Sequence, residues 1–162
     1  MKIKTNLKKQ LMRKIKYKFY LAAIYFTLNI LFGCGGGVKS LKVNLRCDGD
    51  CNGNNAIVVR IYQLKNADKF SHASFESLLR NPEATLSDDL IPDSKFEITL
   101  VPDQTFQIKD YTIKDGAKYI GVVGDFHSPA KDGWMQVIPV NSDIDGMMIL
   151  VHQNYLSVEK AE

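Results

Sequence analysis

Three cysteines, three histidines and one loop rich in Asp and Asn hold most of the reactive or metal-binding side chains that this sequence offers. Asp48-Gly49-Asp50-Cys51-Asn52-Gly53-Asn54 repeats the first half of an EF-hand calcium loop, with oxygen ligands at positions one, three and five and glycine at six. The second half fails: position eight is Asn55 where a hydrophobic residue belongs, and position twelve is Val59 where a bidentate Glu closes the site. Two carboxylates hold calcium weakly, so the loop is expected to be shaped by turns and not by a metal. His72, His127 and His152 stand far apart, with no helical pair and no Cys/His spacing for zinc. No metal and no cofactor is therefore expected. Asp125 and His127 could share a strand face as a dyad, but the same pair fits a strand end beside a loop. No Ser sits in a nucleophile elbow, and Gly35-Gly36-Gly37 does not lie between a strand and a helix as a phosphate loop must. With no convergent acid, base or nucleophile, the reading is a binding module and not an enzyme.

The cysteines divide by position. Cys34 closes the stretch FYLAAIYFTLNILFGC, in which 14 residues from Phe19 to Phe32 are mostly apolar and the preceding charges are all Lys and Arg. A positive segment before a short apolar run is the layout of a secretory signal, and a spanning helix needs about 20 apolar residues. Leu31-Phe32-Gly33-Cys34 resembles a bacterial lipobox. On that resemblance residues 1–33 are removed and Cys34 carries a diacylglyceryl group on sulfur and a third acyl chain on its amine. Two or more chains, at about 0.8 kcal/mol per buried methylene, anchor a protein stably. Gly35 after the cysteine, in place of Asp, directs such lipoproteins to the outer membrane. Met12 also fits as a start, since the signal is complete without residues 1–11; an uncleaved signal anchor is the alternative.

Removing the leader reverses the charge. Residues 1–33 hold eight of the 21 Lys and Arg and none of the 18 acids, which leaves 13 basic against 18 acidic side chains, a formal charge of −5, on residues 34–162. The pI near 8.7 thus describes a precursor. A nucleic-acid partner is excluded on this account, because phosphate neutralisation needs a basic working surface. Cys47 and Cys51 are the remaining cysteines, and an exported domain places them where disulfides form. They are expected to pair, with Asp48-Gly49-Asp50 supplying the turn that brings their Cα atoms within about 7 Å. So small a ring stabilises by only about 2 kcal/mol, mostly by holding one loop in shape.

Strands must position these residues. After a short tether over 34–40, Leu41, Val43 and Leu45 alternate with polar residues as a half-buried strand does. The loop Cys47 to Asn55 follows, and then Ala56 to Leu64, apolar on both faces: Ile57, Val59 and Ile61 on one, Val58, Tyr62 and Leu64 on the other. That strand needs a cover over its outer face. Residues 66–92 lose the period of two, and Phe75, Leu78 and Leu79 between a capping Ser74 and the stop Asn81-Pro82 predict a helical insertion. Strands return at Phe96 to Leu100, around Phe106 and Ile108, and at Lys118 to Phe126, Trp134 to Val140, Met147 to His152 and Leu156 to Glu159. Turn pairs Pro102-Asp103, Asp115-Gly116, Asp132-Gly133 and Asp145-Gly146 punctuate them. About eight short strands at this spacing predict an all-β, two-sheet sandwich over 41–162.

Several segments together resemble one family. Val58-Val59-Arg60-Ile61-Tyr62-Gln63-Leu64, Phe75-Glu76-Ser77-Leu78, Tyr119-Ile120-Gly121-Val122-Val123 followed by Phe126, then Pro129 and Trp134, in that order after a lipobox, are similar to the TssJ (SciN) lipoproteins of bacterial type VI secretion systems. Met135 departs from the Arg common there, and the first loop is short and carries the Cys pair. The resemblance implies a transthyretin-like sandwich with a small helical excursion, tethered in the outer membrane and facing the periplasm. It further implies a non-enzymatic anchor that binds the periplasmic C-terminal domain of TssM in a complex with TssL. The contact would fall on the first loop: Asp48, Gly49, Asp50, Asn52, Gly53, Asn54 and Asn55. A sandwich lipoprotein that binds a small ligand or sugar is the alternative, as is an enzyme whose site has no recognisable pattern.

Overall fold

The computed structural model describes residues 40–141 and 144–160; the leader, Cys34 and Gly35-Gly36-Gly37 lie outside them. The described residues form eight strands: β1 (Ser40–Cys47), β2 (Ile57–Leu64), β3 (Phe96–Leu100), β4 (Thr105–Thr112), β5 (Tyr119–Gly124), β6 (Met135–Pro139), β7 (Gly146–Val151) and β8 (Leu156–Lys160). They form two four-stranded sheets, ordered β4-β1-β7-β8 and β3-β2-β5-β6. Every pairing is antiparallel except β1 with β7. Alternation explains which faces meet. Leu41, Val43, Leu45 and Cys47 of β1 are buried, and β7 sets Met147, Ile149 and Val151 beside the last three. Ile57, Val59 and Ile61 of β2 join the same core from the other sheet. The expected all-β sandwich is the observed architecture.

The outer face of β2 is covered by the insertion. Three short helices, α1 (Asp68–Ser71), α2 (Phe75–Arg80) and α3 (Pro82–Leu86), precede a 3-10 turn over Ser87–Asp89. Phe70, Leu78 and Leu86 are fully buried. The Phe70 ring meets Tyr62 edge-on at 6.3 Å and lies against Gly121, where a Cβ would stand 2.5 Å from the ring. Gly121 therefore leaves room that any side chain would take. Phe75 packs edge-on against Trp134 at 5.2 Å, fastening the insertion near the start of β6. Burial pushes the Tyr62 phenol up to about 12.

Helix caps divide the insertion. Ser74 accepts a hydrogen bond from the Ser77 N–H at 3.2 Å and starts α2. Asn81 closes α2 and also caps α3, accepting from the Ala84 N–H at 3.4 Å with Pro82 in the first helical position. The sequence pattern predicts at Asn81-Pro82 only the stop of a helix. The pair also starts one, because proline lacks an N–H that the first turn would leave unpaired in any case.

Candidate functional site at the loop end

The β1–β2 loop folds back on itself immediately after β1. A disulfide joins Cys47 to Cys51, with Cα atoms 5.6 Å apart. Asn52, Gly53 and Asn54 then take φ values of 48°, 61° and 63°, a single left-handed turn built from the residue types that enter this region at least cost. The turn carries the Asn52 side chain inward, where only 6% of the residue stays exposed. Its Nδ2 donates to the Ala56 carbonyl at 2.7 Å, and its Oδ1 accepts from the His127 N–H at 2.7 Å. The Asn52 backbone N–H donates to the His152 carbonyl at 3.2 Å. One residue of the first loop thereby holds both the β5–β6 and the β7–β8 connections. Asn55 adds bonds from Nδ2 to the carbonyls of Gly53 and Asn52, at 3.0 and 3.2 Å.

A second clasp centres on His152. Its Nδ1 lies 2.7 Å from Asp48 Oδ2, and its Nε2 lies 3.0 Å from Ser157 Oγ. In the tautomer that donates Nδ1–H to the carboxylate, Nε2 accepts the Ser157 hydroxyl. The ring stacks on Tyr155 at 4.3 Å, and Arg46 Nε stands 3.8 Å from the other Asp48 oxygen. Acid, imidazole and hydroxyl stand in the order of a hydrolytic triad. Ser157, however, follows the inward-facing Leu156 on β8 and pairs with Leu150. It is not among the residues that line the groove at this end of the sandwich. What the trio does in the fold is fasten the start of the first loop to β8.

That groove measures about 290 Å³ and is lined by Asn52, Gly53, Asn55, His127, Ser128, Gln153 and Asn154. A shallower hollow of about 460 Å³ adjoins it along Ala56, Val58, Asp125 and Phe126. Of the loop residues singled out in the sequence, Gly49, Asp50, Gly53, Asn54 and Asn55 are exposed, Asp48 is half-buried and Asn52 is buried. Two of the three side chains of the calcium-like pattern already have protein partners: Asp48 faces His152, and Asn52 Oδ1 accepts from His127. Among the described residues no group of three or more His, Cys, Asp or Glu is placed to hold a metal. Asp125 lies 3.8 Å from Arg60, while His127 meets the first loop through its backbone, so the two do not act as a dyad. Sequence reasoning missed His152, Ser157, Ser128, Gln153 and Asn154, whose place depends on which strand ends meet.

Residues 39–154 match the profile of a family described as type VI secretion lipoprotein, VasD, EvfM, TssJ. The chain belongs to the TssJ (SciN) family. Solved structures agree on the fold. TssJ1 from Pseudomonas aeruginosa, a type VI secretion lipoprotein, is 20% identical with a TM-score of 0.71 over 78% of this chain and 98% of that one. A chain from a structure described as a type VI membrane complex is 27% identical, with a TM-score of 0.67 over 76% of this chain and 99% of that one. A chain from a structure described as the TssM C-terminal domain (869–1107) from EAEC is 26% identical, with a TM-score of 0.63 over 76% and 100%. No curated protein matches. The TssJ assignment accounts for the long segments VVRIYQL and YIGVV: they are β2 and β5, paired at the centre of the sheet that carries the insertion.

Proposed function

We propose that this protein is the outer-membrane lipoprotein of a type VI secretion membrane complex. Residues 1–33 are removed, Cys34 is acylated, residues 34–40 tether the sandwich, and the domain faces the periplasm. There it binds the periplasmic C-terminal domain of a TssM-type inner-membrane protein, within a complex that includes TssL, and it performs no chemical step. The observation that carries this reading is the braced loop end: a disulfide, a left-handed turn and the Asn52 bonds hold one short loop in place before any partner arrives. A surface ordered in advance loses little conformational entropy on binding. Asp48, Gly49, Asp50, Gly53, Asn54 and Asn55 then supply contact, and Asn52 supports them from below.

Two experiments test it. Full-length protein extracted from membranes is expected to co-purify with the TssM-type periplasmic domain; failure to do so in either direction of pull-down overturns the partner. Cys34→Ser is expected to release the protein from the outer-membrane fraction. A Cys34→Ser protein that stays in that fraction at high salt and keeps residues 1–33 overturns the anchor.

A further inference from the structure

The groove at the loop end has two unlike sides. On the first-loop side the carboxamides of Asn52 and Asn55 are engaged by backbone groups. On the other side the side chains of His127, Ser128, Gln153 and Asn154 make no hydrogen bond among the described residues, and all four are exposed. Among the described residues no Lys, Arg, Asp or Glu lines this groove, so neither an anion nor a cation finds its counter-charge there. Carboxamides, hydroxyl and imidazole offer donors and acceptors together, which is what a peptide main chain needs, with one N–H and one C=O per residue. A sugar would call for an aromatic platform. The lining has none, and the nearby Tyr155 ring is already stacked on His152.

We infer that this groove receives an uncharged stretch of the partner's main chain, held on one side by the first loop and on the other by Gln153 and Asn154. The inference rests on the proposed TssM-type partner. It makes the interface composite, so that the β5–β6 and β7–β8 loops contribute to it alongside the first loop. The test uses full-length protein in detergent and the TssM-type periplasmic domain as probe. Gln153→Ala/Asn154→Ala is expected to keep the parent melting temperature, since both side chains are exposed and unbonded, and to bind at least tenfold more weakly. Asn154→Lys and Asn154→Glu are each expected to weaken binding, because a neutral main chain gains from neither charge. Parent-like binding by the double variant, or tighter binding by one of the two charged variants, overturns the inference while leaving the proposed partner standing. If the parent itself does not bind the probe, the proposed function falls and the inference with it. Saturable binding of a chitin oligosaccharide by the parent, abolished in the double variant, assigns the groove to a glycan and overturns the inference as well.

Discussion

Phe70 of the insertion reaches its sheet as a ring laid against a glycine, whereas Asn52 of the first loop reaches its neighbours through hydrogen bonds of 2.7, 2.7 and 3.2 Å. Both residues are buried, both fix a connecting segment to the sandwich, and they do so by unlike physics. The insertion is held by area: Phe70, Leu78 and Leu86 are removed from water, and Phe75 rests on Trp134. The loop end is held by direction: each contact has a donor, an acceptor and one angle that satisfies both. Area stabilises without specifying the last ångström, and directed bonds specify position for modest net energy. A domain that must stay folded and also present an ordered surface can assign one task to each region. Substitutions that affect stability and binding separately can break this division.

The largest expected effect is in the insertion. Phe70→Ala removes a fully buried ring and leaves the seat at Gly121 empty, which costs about 3–5 kcal/mol. Chemical denaturation should show a lower midpoint, and at concentrations where the variant is folded its affinity for the partner should match the parent. An unchanged midpoint would mean that the insertion does not contribute to the core.

Next comes Asn52→Ala. It leaves the His127 N–H and the Ala56 carbonyl without their partner and puts alanine at a φ of 48°. Part-buried groups left unsatisfied, toward the lower end of about 1–3 kcal/mol, added to left-handed strain of about 1 kcal/mol, give a loss of roughly 2–3 kcal/mol. Here, unlike at Phe70, binding should fall in step with stability. Asn52→Asp keeps an acceptor for the His127 N–H and loses the donor to Ala56, so it should fall between the two. If Asn52→Ala binds as the parent does, the first loop is not what the partner reads.

Smaller again is the disulfide. Cys47→Ala/Cys51→Ala opens a ring whose loop-entropy contribution is about 2 kcal/mol, and both positions are fully buried, so alanine introduces no polar atom. Melting should drop by a few degrees. Affinity should drop more than stability alone explains, because the loop must then be ordered at the moment of binding. Equal losses in both measurements would place the bridge with the insertion, as a device for stability only.

How legible each region was follows from the same division. The strands and the insertion could be read because burial leaves a period: Leu41, Val43 and Leu45 every second residue, and Phe75, Leu78 and Leu79 on one helical face. The both-sided β2 demanded a cover, and the cover is the next segment along the chain. Where that cover touches was not legible, since nothing in Tyr119-Ile120-Gly121 marks the glycine as the place where Phe70 packs. The first loop stood out by composition, but residues 52, 127 and 153 have no common spacing. They meet only because three connections end on the same side of the sandwich. Directed bonds between distant loops leave no periodic trace, which is why composition marks Asn52 but does not show that its carboxamide bonds to Ala56 and His127.

The smallest effect at neutral pH sharpens the comparison most. Tyr62 is fully buried beneath the insertion, and its hydroxyl has no hydrogen-bond partner among the described residues. In a region held by area, a lone polar atom is not needed. Tyr62→Phe should therefore leave stability unchanged or raise it by up to about 1 kcal/mol, whereas removal of the amide at Asn52 is costly. Alkali separates the two cases further. Burial raises the phenol from its ordinary 10 to about 12 in the folded protein, so between those values the folded state binds more protons than the unfolded one. Stability from this group is complete below pH 10 and is lost as pH rises toward 12, on the order of 2 kcal/mol by linkage. Tyr62→Phe has nothing to ionise there. The variant should equal or slightly exceed the parent in urea melts at pH 7 and gain on it increasingly above pH 10, and a gap between the two that stays constant as pH rises would show that the phenol is open to water and that the insertion does not seal the face of β2.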